Sequence, residues 1–205
     1  MKYIELRENL KDFIIFTSQD IKKIEPNFDL RRLYEWQQKN YIKKVKRGYY
    51  IFSDLKINEK TLYFIANKIY KPSYISLESA LSYYNLIPES VYTIISASSG
   101  KTNNFSNNIG QFSYRQLKSV LMFGEELIKY KNQNIKMASS EKALLDYFYL
   151  NPHLKNENDF YEMRFNKETF QEKVNIEKLN NYLKYFKNKN LEKRIKKLLK
   201  FIKNA

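Results

Sequence analysis

Hydrophobic positions over residues 1–40 recur at the three- and four-residue spacing of amphipathic helices. This spacing predicts a first helix over residues 3–14, with Phe13 on its buried face. Thr17 is placed to cap a second helix, and Pro26 ends that helix because proline has no backbone N–H to donate. A third helix follows, with Asn27 as its expected cap.

The hydrophobic period changes to a strand repeat after Asn40, a residue that tolerates the left-handed backbone common at helix ends. Ile42 and Val45 stand among lysines, and Tyr49 begins a second β-prone run after Gly48. The sequence therefore predicts two strands joined by a tight turn or bulge. Three helices followed by such a hairpin are typical of a winged helix-turn-helix.

The rest of the chain mixes helical and strand patterns, so we predict a second domain of mixed α/β type and an α+β fold class overall. The predicted domains are residues 1–56 and 57–205, with a helical tail from about residue 167. Ser76 and Ser139 are expected helix caps. Helices are predicted over 58–70 and after each serine, strands over 91–97, 111–117, 121–123, 126–130 and 135–138, and a mobile hairpin over 98–110.

The chain is strongly basic, with a formal net charge of +15 and an isoelectric point near 9.6. An excess of this size favours a polyanionic partner such as DNA, RNA or an anionic membrane surface, and a solvated lysine-rich surface is the alternative. In residues 29–52, seven Lys and Arg residues stand against two acidic residues, a net charge of +5. The third helix and the hairpin are therefore the predicted DNA-binding element.

The candidate DNA-binding residues fall into two groups by their chemistry. A guanidinium group matches the acceptors of guanine and an amide matches adenine, so we expect Arg31, Arg32 and Gln38 to contact base edges. Side chains in the hairpin suit phosphates, which position a protein without specifying sequence. This second group comprises Lys43, Lys44, Lys46, Arg47 and Tyr49, and Lys39 is a further candidate DNA-binding residue. Tyr34 is a further aromatic residue that can stack on a base.

Residues 167–203 form a basic tail with helical periodicity, in which Lys and Arg number 12 and acidic residues 4, a net charge of +8. Leu191, Ile195 and Leu198 mark the apolar face of an amphipathic helix. This face is expected to pack on the same chain, on a second copy or, less favourably, on a membrane surface. The lysines on the other face either extend the DNA footprint or are solvated.

The sequence offers little support for catalysis, a metal site or a cofactor. It contains no cysteine, and its single histidine, His153, is expected in an exposed loop without a metal. Ser139, Ser140, Lys142 and Asp146 suggest a serine–lysine nucleophile only weakly. Helix capping explains Ser139, and Lys142 is expected to point into solvent.

An enzyme that acts on nucleic acid is the alternative from another functional class. It would require Glu78, Glu141 and Asp146 to cluster in one cleft. No apolar run approaches the length needed to cross a bilayer, and charged residues interrupt the first helix, unlike a secretory signal. We therefore expect a cytoplasmic protein that is not an enzyme.

Several segments resemble the AbiEi family, whose members are antitoxins of type IV toxin–antitoxin systems and predicted transcriptional regulators of viral defence. These segments are YISLESALSYYNLIPESVYTIISAS from Tyr74, GQFSYRQLK from Gly110, the pair Phe123-Gly124 and IKMASSEKALLDYFYL from Ile135. The hairpin YIKKVKRGYYIF resembles a family pattern of Leu-Ile, basic residues and Arg-Gly-x-Tyr. Ser140 stands where the family usually has proline, and Asn40 stands where glycine is common.

The resemblance spans roughly residues 16–150 and implies a winged helix followed by a mixed α/β antitoxin domain. It implies a repressor that binds inverted repeats in its own promoter, so double-stranded DNA is the expected partner. It also implies neutralisation of a nucleotidyltransferase-like toxin, encoded alongside, without a stable complex. A stand-alone winged-helix regulator with no toxin partner is the alternative. The resemblance does not cover the tail after Leu150, and the oligomeric state stays open.

Overall fold

The structure, a computed structural model, describes residues 1–88 and 92–204. Over these residues the chain is a mixed α+β protein with ten α-helices and two β-sheets, which confirms the α+β class that was predicted. Residues 1–56 contain, in order, α1 (Tyr3–Asn9), β1 (Phe16–Thr17), α2 (Ser18–Ile24), α3 (Arg31–Gln38), β2 (Ile42–Lys46) and β3 (Tyr49–Phe52).

Strands β1, β3 and β2 form a small antiparallel sheet, in that order. Aromatic side chains fill the space between this sheet and the helices: Trp36 is buried together with Phe16 and Phe52, whose ring centroids are 4.8 Å apart. Such rings contribute large buried areas to a small core. Helix α1 ends at Asn9, earlier than predicted, and Phe13 is 44% exposed. The prediction that Phe13 is buried is therefore wrong.

Capping interactions account for the boundaries of the second and third helices. The hydroxyl of Thr17 accepts a hydrogen bond from the N–H of Asp20 at 3.2 Å, so the predicted cap of α2 is confirmed. The predicted cap of α3 at Asn27 is wrong, because the helix begins only at Arg31. There the carboxylate of Asp29 accepts a hydrogen bond from the Arg31 N–H at 2.9 Å. The residues before Arg31 form a turn, which shortens the helix.

Two residues with positive φ shape the chain around the hairpin. Asn40 has φ 53° just after α3, as predicted, and Gly48 has φ 82° in the predicted turn between β2 and β3. The pairing of β2 with β3 shifts register between Lys44 and Lys46. This shift is a β-bulge, which changes the side to which the following side chain points.

The second part of the chain contains α4 (Glu59–Ile69), β4 (Ser73–Ile75), α5 (Leu77–Tyr83), β5 (Thr93–Ser98), β6 (Asn103–Asn107), β7 (Gly110–Gln116), β8 (Glu125–Tyr130), β9 (Gln133–Ala138), α6 (Ser140–Leu150), α7 (Glu157–Glu162), α8 (Lys167–Lys173), α9 (Ile176–Phe186) and α10 (Lys189–Asn204). The strand predicted over 121–123 is wrong, because residues 119–121 form a 3-10 turn that buries Leu121. Val91, the first residue of another predicted strand, lies outside the described residues. The hairpin predicted over 98–110 is instead formed by β6 and β7, so only its first strand and its turn fall within the predicted range.

Six of these strands form a mixed sheet with the order β6–β7–β5–β4–β9–β8. Strands β5 and β7 are parallel, as are β4 and β9, and the other pairs are antiparallel. Successive strand residues point to opposite faces. In β7 the hydroxyl of Tyr114 donates to Ala66 of α4, whereas the neighbouring Arg115 donates to Leu150 of α6. Helices α4 and α6 therefore cover opposite faces of the sheet.

Residues 1–56, here called the N-terminal unit, are attached to the α4 side of this sheet. The side-chain amide of Asn107, at the turn after β6, donates to the Val45 carbonyl of the hairpin at 2.8 Å. Ile14, Ile15 and Ile51 from residues 1–56 join the core of the second part rather than their own core, as Val45 does. The contact between the two parts is therefore apolar as well as hydrogen-bonded.

The tail from residue 167 consists of three helices that pack on the same chain. Leu191, Ile195 and Leu198 of α10 are fully buried against the rest of the core, so the first of the three predicted packing partners is the observed one. Helix α10 lies against α6 and α7, on the sheet face opposite to α4. Within the described chain, every helix falls short of the length and apolar character that a bilayer-spanning segment needs.

Candidate nucleic-acid interface

Helix α3 has one buried face and one face that points into solvent. Leu33 and Trp36 are buried in the N-terminal core. Arg31, Tyr34 and Gln38 are separated by three and four residues, so they share the opposite face, and all three are exposed. Tyr34 is 66% exposed. The structure therefore groups two predicted base-contacting residues with a tyrosine that the sequence only suggested.

The other arginine of α3 lies to the side of this face. Arg32 is exposed, but its Nη1 donates a hydrogen bond to the backbone carbonyl of Met1. The N-terminal amino group of Met1 in turn forms an ion pair with Glu25 at 2.8 Å. These contacts link α3 to both the start of the chain and the end of α2. Lys39 follows α3 as its C-cap residue and is exposed.

Two consecutive lysines of β2 lie at the surface of the hairpin. Lys43 and Lys44 are both exposed, whereas Val45, at the bulge that follows them, is buried. Successive strand residues point to opposite faces, so the two lysines lie on opposite sides of the strand. Arg47 is exposed in the turn, and Tyr49 is half-buried where β3 pairs with β1. Three cations are therefore accessible in the hairpin that follows α3.

Lys46 differs from the other basic residues of the hairpin, because it turns towards the second part of the chain. Its ammonium group donates to the carbonyl of Ile69, at the end of α4, at 2.8 Å. It also lies 4.4 Å from the ring centroid of Phe105 and 5.3 Å from that of Tyr70, a cation–π geometry. Burial lowers the pKa of Lys46. In the structure this lysine holds the hairpin in place.

An open cleft of about 380 Å³ lies between the end of α3, strand β2 and the turn between β6 and β7. Polar side chains dominate its lining, which includes Gln37, Asn40, Lys43, Lys44, Asn107 and Asn108. Asn107 is fixed by its bond to Val45, and its side-chain oxygen accepts the N–H of Ile109 at 2.8 Å. The contribution of Asn108, which is exposed, could not be found from the sequence. Only the packing of β6–β7 on the hairpin brings this residue beside the lysines.

No protein-family model matches the chain, and no curated protein matches it either. The likeness to the antitoxin family therefore stays an interpretation of the quoted segments, and any assignment of function rests on the residues and their geometry.

Lys142 corrects one prediction from the sequence, because it does not point into solvent. Its side chain is fully buried beside that of Asp146, with which it forms an ion pair one helical turn apart in α6. The Lys142 ammonium also donates to the hydroxyl of Tyr74 at 2.8 Å. The hydroxyls of Tyr74 and Ser76 each donate to the Asp146 carboxylate, at 2.9 and 2.8 Å. We call Tyr74, Ser76, Lys142 and Asp146 the buried polar cluster.

The buried polar cluster has no access to solvent and is surrounded by aromatic rings. The Lys142 ammonium lies 5.0 Å from the ring centroid of Phe123 and 5.2 Å from that of Phe186. Burial lowers the pKa of Lys142 and raises the pKa values of Asp146 and Tyr74. Because a substrate cannot reach these side chains, the buried polar cluster suits a structural role. Ser76 precedes α5 as its N-cap residue, but its hydroxyl contacts this cluster and caps no N–H, contrary to the prediction.

The three acidic residues required for a nucleic-acid enzyme lie in separate surroundings. Asp146 belongs to the buried polar cluster, whereas Glu141 accepts the N–H of Asn175 at 2.9 Å and pairs with Lys178 at 3.1 Å. Glu78 lines a cavity of about 420 Å³ whose lining includes neither Glu141 nor Asp146. His153 lines the same cavity and is exposed in a turn, as predicted.

In the part of the chain that the structure describes, no group of three or more His, Cys, Asp or Glu residues is arranged to hold a metal ion.

Proposed function

We propose that the chain is a DNA-binding transcriptional regulator in which residues 1–56 act as a winged helix-turn-helix. One observation carries the proposal: α3, whose outward face presents Arg31, Tyr34 and Gln38, packs beside a hairpin on which Lys43 and Lys44 are both exposed. An α-helix fits the major groove, where base edges differ in their donors and acceptors. A basic hairpin beside it can follow the phosphate backbone.

The geometry supports a division of roles among the candidate residues that is narrower than the one predicted from sequence. Arg31 and Gln38 contact base edges, and Tyr34 contacts a base or sugar beside them. The phosphate contacts come from Lys39, Lys43, Lys44 and Arg47, with Tyr49 at their margin. Arg32 and Lys46 are supporting residues, because each already has a partner within the chain, Met1 and Ile69 respectively.

We further propose that the regulator represses its own operon by binding inverted repeats in the promoter, and that it is the antitoxin for a nucleotidyltransferase-like toxin encoded alongside. The segments that resemble the antitoxin family support this proposal. Tyr74, Lys142 and Asp146, from two of these segments, meet in the buried polar cluster, and the backbone of Gly124, from a third, approaches Lys142. The segments thus converge in space, as parts of one domain would.

The DNA-binding proposal can be tested by fluorescence anisotropy with the promoter upstream of the gene and a random duplex of equal length. We expect tighter binding to the promoter, and Arg31→Ala should reduce that preference by about 1–3 kcal/mol. Lys44→Gln should weaken binding to both duplexes and reduce the salt slope by about one unit. Lys60→Gln, at an exposed lysine of α4, is the control and should change neither quantity. Equal affinity for promoter and random DNA would contradict an operator-binding role.

The matched pair Lys44→Gln and Lys46→Gln separates a phosphate contact from a structural one. We expect Lys44→Gln to lower DNA affinity without changing stability. Lys46→Gln should lower the free energy of unfolding, because the carbonyl of Ile69 and two aromatic rings lose their cation. The toxin partnership is tested by co-expression with the neighbouring gene. Growth arrest that this chain relieves supports the antitoxin role, and no effect favours a stand-alone regulator.

A further inference from the structure

Helix α10 carries a row of five lysines along its solvent-exposed face, which the proposed operator contact does not use. The row consists of Lys189, Lys193, Lys196, Lys200 and Lys203, and all five side chains are exposed. Their spacing of three and four residues keeps them on one face of the helix. From the first lysine to the last, at about 1.5 Å per residue, the row is about 21 Å long. We refer to these five residues as the lysine row.

The lysine row carries a large excess of positive charge. Among the described residues, none of its five ammonium groups forms an ion pair with a carboxylate. Glu192, three residues after Lys189 and four before Lys196, is the one acidic residue in the sequence of α10, so most of the charge of the row is uncompensated. Like charges at these spacings destabilise a helix, so consecutive lysines on one face carry a cost in the free protein. A polyanion bound along the row would remove that cost.

The helix that carries the row is held rigidly by its other face. Leu191, Ile195 and Leu198 are fully buried in the core. Arg194 is also buried, and its Nη1 donates to the carbonyls of Phe148 and Asn151 at 2.8 and 3.1 Å. These carbonyls belong to the end of α6 and the residue after it. The last carbonyls of a helix have no hydrogen-bond partner within the helix, so they are free to accept from Arg194. The lysines therefore project from a fixed rod, and the apolar face is not available for insertion into a bilayer.

The lysine row and the hairpin lie on opposite sides of the six-stranded sheet. The hairpin is attached on the α4 side, through Lys46 and Ile69, whereas α10 packs on α6 across the sheet. We therefore expect a straight duplex bound by α3 and the hairpin to lie on the α4 side of the sheet, away from the row.

We propose that the lysine row binds the phosphate backbone of a second nucleic-acid segment, separate from the segment contacted by α3 and the hairpin. A duplex as long as the row carries about twelve phosphate charges, a complement that an isolated metabolite does not offer. Because the row presents only ammonium groups, this contact is independent of sequence. The proposal goes beyond operator recognition and does not require it.

The experiment compares three charge-removing variants of the full chain on a random-sequence duplex over a series of salt concentrations. The row variant carries Lys193→Gln, Lys196→Gln and Lys200→Gln. The hairpin variant carries Lys43→Gln, Lys44→Gln and Arg47→Gln. The control variant carries Lys60→Gln, Lys118→Gln and Lys129→Gln, which remove three exposed lysines outside both surfaces. All substituted side chains are exposed, and matching thermal unfolding curves establish that each variant is folded.

We expect the hairpin variant to retain salt-dependent binding that comes from the row. Adding the row substitutions should reduce the slope of log affinity against log salt by about two to three units, since each lost phosphate contact contributes about 0.9. Adding the control substitutions to the hairpin variant should leave most of its slope of log affinity against log salt unchanged. The proposal is overturned if the hairpin variant no longer binds DNA, or if row and control substitutions have equal effects.

Two further measurements fix the identity of the partner. Binding to phosphatidylglycerol vesicles at the same ionic strength should be weaker than binding to the duplex, and stronger row-dependent binding to vesicles would overturn the assignment to nucleic acid. The ratio of promoter to random affinity should be unchanged in the row variant. A ratio of one in the unmodified chain would defeat the operator proposal alone, while the slope measurement would still decide the role of the row.

Discussion

The substitution Lys142→Met tests whether the buried polar cluster is a structural ion pair. Both side chains of the Lys142–Asp146 pair are fully buried, so the substitution leaves a carboxylate without its counter-charge in the core. Removing one partner of a buried pair typically costs about 3–5 kcal/mol. Methionine retains the aliphatic stem between the rings of Phe123 and Phe186, which limits the loss of packing.

The cost has an upper limit, because Asp146 can take up a proton. Protonating a carboxyl group with the ordinary pKa of 3.8 at pH 7 costs about 4 kcal/mol, at about 1.36 kcal/mol for each pH unit. At pH 5 the same step costs about 2 kcal/mol. Burial raises the pKa of Asp146 and Lys142 acts to lower it, so removing Lys142 raises the folded-state pKa further, and stability relative to the unmodified chain recovers as the pH falls. We therefore expect a loss of about 4 kcal/mol at pH 7 that halves by pH 5.

Urea unfolding followed by circular dichroism at both pH values measures this loss. The matched control is the double variant Lys142→Met with Asp146→Asn, in which the hydroxyls of Tyr74 and Ser76 retain a neutral acceptor. It should recover most of the stability, because replacing a buried pair costs far less than breaking one. A loss below about 1 kcal/mol at pH 7, or a loss that does not change with pH, would refute the reasoning.

Two other substitutions test contacts around the same cluster. Gly124→Ala should lower stability by about 2–3 kcal/mol in thermal unfolding, because φ is +74° and a Cβ would stand 2.9 Å from the Tyr182 ring. Gly48→Ala is its control: φ is +82° but among the described residues nothing lies within 4 Å, so a loss equal to that of Gly124→Ala would argue against the contact. Burial acts to raise the pKa of Glu141, but hydrogen bonds from the N–H of Asn175 and from Lys178 outweigh it and lower the pKa. The charged form therefore stabilises the fold above the ordinary pKa of 4.5, and Glu141→Gln should cost about 1–2 kcal/mol at pH 7 and progressively less as the pH falls through the lowered value. Urea titrations at several pH values would show this convergence, and a pH-independent difference would contradict it.

The local features of the hairpin could be predicted from sequence because they depend on neighbouring residues. Asn40 and Gly48 adopt positive φ as their chemistry favours, and the alternation around Ile42 predicts the strand. The bulge between Lys44 and Lys46 could not be predicted. At this bulge the Val45 carbonyl and the Lys46 ammonium contact Asn107 and Ile69, which lie far along the chain.

The position of Lys142 could not be predicted for a related reason. A lysine in the first turn of a helix usually faces solvent, and the sequence of α6 alone predicts the same for Lys142. However, α6 lies between the sheet on one side and α9 and α10 on the other, so Lys142 and Asp146 are buried together with Leu144 and Leu145. The basic tail, which closes the far side of α6, is what removes this surface from water. No pattern within α6 itself contains that information.

The segments that resemble a known family lie largely in the interior. Asp146, Tyr74 and Leu144 are buried, whereas the exposed faces of α3 and α10 carry residues with few steric constraints. Interior residues specify how a domain packs, and surface residues specify what it contacts. The resemblance is therefore better evidence for the architecture of the second part than for its partner, and the experiments above address the partner directly.

The apolar contact between the N-terminal unit and the α4 side of the sheet limits how this architecture can be recombined. Ile14, Ile15, Val45 and Ile51 belong to the core of the second part, so a fragment cut after residue 56 would expose four large aliphatic side chains. Such a fragment is expected to aggregate, and grafting it onto an unrelated domain would require a matching apolar surface. Residues 1–56 are therefore not an interchangeable module. Under the proposed function, changes of operator specificity are more readily reached by substitution on the face of Arg31, Tyr34 and Gln38 than by exchange of the whole unit.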